Sequence, residues 1–302
     1  MDLYEHSSTP LLHYSNKPMT AQAQALTEFL IVDETDDYLV VDKPPFLLTH
    51  PTKPNGAPTL WKELRELLAF EIANNGQVSI VNRLDRETSG LVLVAKTSAA
   101  ARKFGLLMQQ QRFRKEYLAI VWGWPDWETK IIDAPLDRQG KHRQSAIWLK
   151  QAIHPDGASA RTEFEVERHF ARSTSADDLS SPSLLSSRGE DKGEGLVQLC
   201  ETSPIFAGNK FSLIRAIPQT GRTHQIRVHL ASTGHPIVGD KIYGPNEQLY
   251  LEFIETGWTN ELERQLLLPR HALHASKLGI DGEHEWTSPL PVDLADFCSG
   301  GL

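Results

Sequence analysis

Cysteine is scarce in this chain of 302 residues. Its two cysteines, Cys200 and Cys298, lie far apart, and no C-x-x-C pair occurs. Two cysteines so far apart in sequence indicate neither a disulfide framework nor a zinc knuckle. We therefore expect a reducing compartment and no metal site. The N-terminal region has no basic segment followed by an apolar stretch, and no run approaches the roughly 20 apolar residues of a membrane span. The sequence therefore predicts a soluble, cytoplasmic protein.

Positive charge is also in short supply, because the formal net charge is −8. This balance argues against a protein whose whole surface attracts phosphate backbones. The acidic residues are unevenly distributed. Residues 1–37 carry seven acids and one lysine, residues 171–195 carry five acids and three bases, and residues 246–265 carry five acids and one arginine. The rest of the chain has a net positive charge and can present a basic surface.

One aspartate, Asp85, stands in a polar turn within the segment VNRLDRETSGLVLVAK, residues 81–96. The apolar, β-branched run from Leu91 to Ala95 is typical of a buried strand. A turn directly before such a strand holds its carboxylate in a rigid position. Taken alone, an aspartate in a charged turn is more often a solvated or capping residue.

Helical periodicity predicts helices over residues 59–70, 98–110 and 223–233. For the third we expect Thr223 as the N-cap and Gly234 as the C-terminal stop. The first carries a leucine stripe that we expect to face the core: Leu60, Leu64, Leu67 and Leu68.

Strand-period alternation occurs at residues 161–170 and 211–217. Residues 171–195 between them hold seven serines and no aromatic residue, which is typical of a flexible insertion at the tip of a hairpin. Short β-branched runs among a few helices predict an α+β domain with a mixed, mainly antiparallel sheet flanked by helices.

Several ordered blocks resemble the RluA-type RNA pseudouridine synthase family. They are LVVDKPPFLLTHP (39–51), the RLD-x-x-TSG segment within 81–96, RKEYLAIVWG (114–123), IPQTGRTHQIRVHLASTGHPIVGDKIYG (217–244) and LHASKL (273–278). The resemblance implies the pseudouridine synthase fold over residues 31–295, preceded by an N-terminal arm, residues 1–30. This arm is too short for the S4 RNA-binding domain that many relatives carry.

The resemblance also implies a function. We expect a cofactor-free, monomeric RNA isomerase that converts uridines in tRNA or large-subunit rRNA to pseudouridine. Asp85 matches the family's catalytic carboxylate, and Arg227 matches the arginine that pairs with it. Tyr117 matches the tyrosine that stacks on the target base and assists proton transfer from C5. Three roles stay open for Asp85: attack on the sugar, attack on the base, or removal of the C2′ proton.

A base within an RNA stem must be extruded before it can reach a buried carboxylate. Arg83 matches the family position that fills the vacated stack, and a guanidinium can both stack and bind phosphate. We expect further contacts with the RNA backbone from Lys43, Lys115, Arg222 and His224.

Three other polar positions need an interpretation. The family often begins its signature with histidine, whereas this chain has Asn82, which hydrogen-bonds but does not titrate near neutrality. His271 and His274 suggest a metal site, but no further ligand stands at a usual spacing, so we expect none.

Two alternatives compete with the isomerase. The first is a catalytically silent RNA-binding protein on the same fold, although such a protein should have lost Asp85, Tyr117 or Arg227. The second is a nucleoside or glycoside hydrolase, which needs a second carboxylate as general acid. The nearest candidate in the signature is Glu87, which we expect to face solvent.

Overall fold

The computed structural model describes residues 29–51, 57–172, 208–280 and 282–300. The predicted N-terminal arm, residues 1–30, and the predicted insertion, residues 171–195, lie outside the described residues apart from their edges. Among the helices that are described, none is long and apolar enough to cross a bilayer.

Twelve strands occur in the described part of the chain. They are β1 (Leu30–Glu34), β2 (Tyr38–Lys43), β3 (Ser79–Ile80), β4 (Ser89–Ala95), β5 (Phe113–Trp122), β6 (Thr129–Asp133), β7 (Leu136–Arg138), β8 (Gln151–Ile153), β9 (Arg161–Ala171), β10 (Lys210–Pro218), β11 (Leu273–Ile280) and β12 (His284–Thr287). Ten of them form one sheet with the order β1-β2-β4-β11-β5-β10-β9-β6, in which β12 also pairs with β11 and β3 with β4. The strands β7 and β8 form a separate hairpin.

The large sheet is mixed and mainly antiparallel, as predicted. β4 and β11 are its parallel neighbours, and the other pairings described are antiparallel. The predicted strands at residues 161–170 and 211–217 are β9 and β10, which pair along their length. These two strands therefore flank the segment that contains the predicted insertion.

Apolar side chains cover both faces of the sheet. In β4, Leu91, Leu93 and Ala95 pack in one buried cluster, and Val92 and Val94 pack in another. Alternate residues of a strand point to opposite faces, so a strand buried on both sides needs a continuous apolar run. This explains the unbroken sequence LVLVA that precedes Lys96.

Seven helices are described: α1 (Leu60–Leu67), α2 (Ala69–Ala73), α3 (Ser98–Gln109), α4 (Gln225–Ser232), α5 (Gln248–Thr256), α6 (Asn260–Leu266) and α7 (Val292–Ser299). The predicted helix over residues 98–110 is confirmed as α3. The helix predicted over residues 59–70 is divided at Leu68, whose backbone (φ −95°, ψ 26°) is not helical. Leu67 was wrongly assigned to the core: it is 51% exposed, because the chain turns at Leu68 and buries that side chain instead.

The start of α4 also differs from the prediction. His224, not Thr223, precedes the first helical residue, and its side chain makes no capping hydrogen bond. Its φ of 56° lies in the left-handed region, which histidine tolerates better than most residues. The backbone N–H of Arg222 donates to the side-chain oxygen of Gln225 (3.0 Å), and this bond closes the loop instead of a threonine cap. Gly234, with φ of 82°, follows the end of the helix as predicted.

A row of paired residues crosses the middle of the sheet: Gly90 of β4, Ala275 of β11, Tyr117 of β5 and Ala216 of β10. Gly90 has φ of 112°, and a Cβ atom there would lie 2.3 Å from the carbonyl oxygen of Ala275. Only glycine permits this close approach and this backbone conformation together. The row therefore places the start of β4 two strands from Tyr117.

Candidate active site

The turn that carries Asp85 is held by the segment that follows β2. The hydroxyl of Thr49 donates to the carbonyl of Leu84 (2.7 Å) and accepts from the N–H of Leu84 (3.3 Å). Both backbone groups of the residue before Asp85 are thus satisfied by one side chain. This arrangement fixes the carboxylate relative to the sheet.

Lys43 contributes to the same support and does not line the cleft around Asp85, where we expected it to contact RNA. Its side chain is fully buried, and its ammonium group donates to the carbonyls of Pro44 (2.7 Å), Leu47 (2.9 Å) and Arg86 (3.4 Å). Burial lowers the pKa of Lys43 to about 7. An ammonium group that donates to three backbone carbonyls has no further N–H group for a phosphate, so Lys43 supports the turn in its charged form.

Asn82, which replaces the family's frequent histidine, pairs with the backbone of β4. Its amide nitrogen donates to the carbonyl of Leu91 (3.0 Å), and its amide oxygen accepts from the N–H of Leu93 (2.8 Å). The amide group of Asn82 thus makes two hydrogen bonds to the backbone of β4, as a neighbouring strand would. These bonds hold the signature turn against the sheet.

Arg227 lies between two carboxylates. Its Nη1 donates to Oδ2 of Asp85 (2.9 Å), while its Nε and Nη2 donate to Oδ2 and Oδ1 of Asp240 (2.7 and 2.9 Å). Asp240 is fully buried, and its Oδ1 also accepts from the N–H groups of Ile242 and Tyr243. The predicted pairing of Arg227 with Asp85 is present, and Asp240 holds the other side of the guanidinium.

These neighbours keep Asp85 ionised. Burial alone raises the pKa of the Asp85 carboxyl, but the charges of His224, once protonated at acidic pH, and of Arg227 outweigh burial and lower the pKa to about 2. The side chain is still 31% exposed. Asp85 is therefore a charged carboxylate that is open to a ligand at neutral pH.

Asp85 opens into a cleft of about 840 Å³. Tyr117 lines this cleft from β5 and is 9% exposed, and burial raises the pKa of its phenol, which stays neutral. Lys115, two residues earlier on the same strand, also lines the cleft, and burial lowers the pKa of its ammonium group. The strand period places both side chains on one face of the sheet.

The sequence is similar to a known protein family over most of its length. The family described as RNA pseudouridylate synthase matches residues 37–232. The chain is 32% identical to ribosomal large subunit pseudouridine synthase D of Nitrosomonas europaea, over 91% of this chain and 65% of that protein. It is 31% identical to the protein of the same name from Salmonella typhimurium, over 88% and 68% of the two chains. This chain belongs to the RNA pseudouridylate synthase family.

The family's solved structures share the fold. Human RNA pseudouridylate synthase domain containing 4 superposes with a TM-score of 0.60 at 20% identity, over 93% of this chain and 95% of that chain. Human RNA pseudouridylate synthase domain containing 1 gives a TM-score of 0.57 at 24% identity, over 87% and 84%. The chain spans about two thirds of the curated bacterial relatives that it matches, 65% in the case of the Nitrosomonas protein.

Three further residues with expected RNA contacts occupy different places. Arg83 and Arg222 are exposed and line the cleft, so both are accessible to a phosphate backbone. His224 also lines the cleft but is largely buried: its Nδ1 lies 2.9 Å from the hydroxyl of Tyr243, and its Nε2 lies 3.9 Å from Oδ2 of Asp85. Burial lowers the pKa of His224 to about 4, so the imidazole is neutral. A neutral imidazole offers no positive charge to a phosphate, so the structure gives no support to the expected backbone contact of His224.

Glu87 was wrongly expected to face solvent. Its carboxylate accepts from the ammonium group of Lys241 (2.8 Å) and from the backbone N–H of His271 (3.1 Å), and its side chain is 15% exposed. It points away from the cleft. Of the cleft-lining residues in the described part of the chain, Asp85 alone is acidic.

The histidines considered as metal ligands belong to hydrogen-bonded pairs behind the signature turn. Nε2 of His271 lies 2.7 Å from the hydroxyl of Thr88, and Nδ1 of His274 lies 3.0 Å from the hydroxyl of Ser89. Among the described residues, no group of three or more histidine, cysteine, aspartate or glutamate side chains could hold a metal ion.

Sequence reasoning missed several residues that support the site. Arg270 is fully buried, pairs with Asp293 through two hydrogen bonds (2.7 and 2.9 Å) and donates to the hydroxyl of Ser89 (3.2 Å). Gln225 ties its loop to β9 through the carbonyl of Arg161 (3.0 Å). The only sequence signal for these contacts is the presence of polar residues inside apolar segments, and it does not identify their partners.

Proposed function

We propose that this protein isomerises uridine to pseudouridine in RNA. The observation that carries the proposal is the ionised Asp85, paired with Arg227 at 2.9 Å and open to a cleft that Tyr117 lines. The isomerisation breaks the N1–C1′ bond and forms a C5–C1′ bond, while a proton leaves C5 and a proton is gained at N1. No electrons are exchanged with a partner, so no redox cofactor is needed.

Asp85 would act at the sugar. Cleavage of the N1–C1′ bond develops positive charge on C1′, and an adjacent carboxylate stabilises that charge or bonds to the carbon. Arg227 keeps this carboxylate charged and fixes one of its oxygens, which leaves the other oxygen free to face the ribose. The clamp by Asp240 preorganises the arginine, so little reorganisation is needed during the reaction.

Tyr117 would lie against the uracil ring. Its phenol is neutral in the free protein, since burial and the charge of Asp85 both raise its pKa. The substitution Tyr117→Phe keeps the aromatic surface and removes the hydroxyl. It therefore separates stacking on the base from assistance in proton transfer.

The RNA backbone would cross the rim of the cleft at Arg83 and Arg222. Both side chains are exposed there, and Lys115 lies deeper in the same cleft. An extruded uridine leaves a gap in its stem, and the exposed guanidinium of Arg83 has the shape and charge to fill it. We assign large-subunit rRNA as the substrate, supported by relatives named ribosomal large subunit pseudouridine synthase D. We retain tRNA as the second candidate.

The decisive experiment is to map pseudouridines in large-subunit rRNA and tRNA after incubation of unmodified RNA with the purified protein. We expect at least one uridine to be converted, with no conversion by Asp85→Asn. RNA binding without conversion by the wild-type protein would instead indicate a catalytically silent binder. Release of free uracil would indicate a hydrolase, an outcome that is disfavoured because Asp85 is the one carboxylate in the cleft among the described residues.

A further inference from the structure

His224 presents an unused hydrogen-bonding group to the cleft. Its side chain is 9% exposed, and its Nε2 is 3.9 Å from the nearest carboxylate oxygen, Oδ2 of Asp85, which is too long for a hydrogen bond. No other partner for Nε2 occurs among the described residues. His224 lines the cleft, so this nitrogen beside Asp85 is available to a bound substrate.

The partners of Tyr243 determine which nitrogen of His224 carries the proton. The phenol oxygen accepts from the backbone N–H of Gln151 (2.8 Å) and lies 2.9 Å from Nδ1 of His224. Burial raises the pKa of this phenol, so Tyr243 keeps its proton and must donate it. Nδ1 of His224 is the acceptor within hydrogen-bonding distance in the described structure. A neutral imidazole that accepts at Nδ1 carries its proton on Nε2.

We propose that the Nε2–H group of His224 donates a hydrogen bond to an acceptor oxygen of the target uridine, and that Tyr243 is the positioning residue that fixes this tautomer. The proposal rests on the proposed function, because it names a contact within that reaction. It replaces the phosphate contact that the sequence predicted for the same residue.

Two oxygens of a uridine beside Asp85 fit this donor: a uracil carbonyl and the ribose 2′-hydroxyl. The carbonyl has one chemical advantage. When uracil turns over about its N3–C6 axis, so that C5 replaces N1 at the sugar, O2 and O4 exchange places. A single fixed N–H group can therefore bind a carbonyl oxygen both before and after the base rotates.

His224 directly precedes α4, the helix that carries Arg227. With φ of 56°, His224 lies in the left-handed region, and Arg227 follows within the first turn of the helix. Arg227 also lies over the ring of Tyr243, with its Cζ 5.1 Å from the ring centre. One short segment thus places the tautomer-setting tyrosine, the donor and the partner of Asp85 around the same carboxylate.

The tautomer is tested directly by the ¹⁵N chemical shifts of the His224 imidazole at neutral pH. We expect a protonated Nε2 and an unprotonated Nδ1 in the wild-type protein, and a mixture of tautomers in Tyr243→Phe. A protonated Nδ1 in the wild-type protein would overturn the proposal. This measurement needs no RNA, so its result does not depend on whether the protein is an active isomerase.

Two substitutions test the donor. His224→Gln places an amide N–H group near the position of Nε2, whereas His224→Asn tolerates the left-handed backbone but is too short to reach the substrate. We expect kcat/KM to fall about tenfold or more in His224→Asn, the loss of about one hydrogen bond, and to be largely restored in His224→Gln. His284→Asn, an exposed histidine on β12, is the matched control and should be unaffected. Equal activity of His224→Asn and the wild type would overturn the proposal.

Modified substrates distinguish the two acceptors. RNA with 2′-deoxyuridine at the target removes the hydroxyl, and RNA with 2-thiouridine or 4-thiouridine weakens one carbonyl acceptor. The modification that removes the partner of His224 should lower kcat/KM in the wild type but cause no further loss in His224→Asn. If every modified RNA lowers kcat/KM by the same factor in His224→Asn as in the wild type, His224 contacts none of these oxygens. If the wild type forms no pseudouridine in any RNA, the proposed function itself fails.

Discussion

Asp240 grips Arg227 with both of its carboxylate oxygens, at 2.7 Å from Nε and 2.9 Å from Nη2. The third donor of the guanidinium, Nη1, is left for Asp85. Asp85 is thus paired with a cation whose charge is already shared with a second, fully buried carboxylate. This arrangement can position the arginine firmly without fully neutralising Asp85.

The first prediction concerns the stability of this triad. Arg227→Met leaves two carboxylates without their partner, and Asp240→Asn leaves a buried arginine with one. We expect each substitution to lower the free energy of unfolding by about 3 kcal/mol or more, because a buried charge is orphaned. Urea denaturation measures the change. Arg102→Met, on the exposed side of α3, is the control and should change stability by less than about 0.5 kcal/mol. A loss of less than about 1 kcal/mol in Arg227→Met would contradict the structural role of the clamp.

The second prediction concerns Asp85 itself. Asp85→Asn removes the charge but keeps an oxygen that Arg227 can bind. We expect pseudouridine formation to fall at least about 1,000-fold, while the fold and the affinity for RNA are retained. Tritium release from C5-labelled RNA measures the reaction, and Asp156→Asn is the control because that side chain is 83% exposed. Activity within tenfold of the wild type would remove Asp85 from the mechanism.

The third prediction separates two cations that the sequence grouped together. Arg83→Ala should leave the melting temperature nearly unchanged, because the side chain is exposed, and should weaken RNA binding with a salt dependence smaller by about one unit. Lys43→Met should lower the stability and leave RNA binding by the folded protein unchanged. It orphans buried backbone carbonyls and should cost about 2 kcal/mol of stability, with the salt dependence unchanged.

Calorimetry and RNA titration at two salt concentrations test both variants. If Arg83→Ala is the more destabilising change, the two roles have been assigned the wrong way round. If Lys43→Met lowers the salt dependence while remaining folded, the ammonium group contacts phosphate in the complex.

The fourth prediction concerns pH. Burial lowers the pKa of His224 to about 4 and holds the pKa of His271 well below its ordinary value near 6.5. Between these values the unfolded chain binds more protons than the folded protein, so the free energy of unfolding falls as the pH falls. We expect the melting temperature to decrease from about pH 7 to about pH 5. Asp85, with a pKa lowered to about 2, contributes stability that is lost only at more acidic pH, as it protonates below its unfolded pKa near 3.8.

His224→Gln is the matched variant for this measurement, since it removes one of the titrating groups. Its melting temperature should decrease less than that of the wild type over the same pH range. An identical pH dependence in the two proteins would show that His224 has an ordinary pKa in the folded state.

Local sequence determined the elements of this protein. The apolar run LVLVA is typical of a strand buried on both faces, the alternation in β9 and β10 predicts two strands, and the polar signature turn precedes a strand. The motif blocks also predicted Asp85, Tyr117 and Arg227 as site residues, and the structure places all three around one cleft. Each of these conclusions depends on the order of residues within a short segment.

Tertiary structure decided which polar groups meet. Lys43 and Arg83 are both cations beside motif residues, yet one is buried under backbone carbonyls and the other is exposed. Asp240 and Tyr243 act on Arg227 and His224 only because the segment after α4 folds back beside that helix. The reason is physical: a short-range pattern specifies strand, helix and turn, whereas burial and ion pairing depend on contacts between segments distant in the chain, which the pattern does not contain.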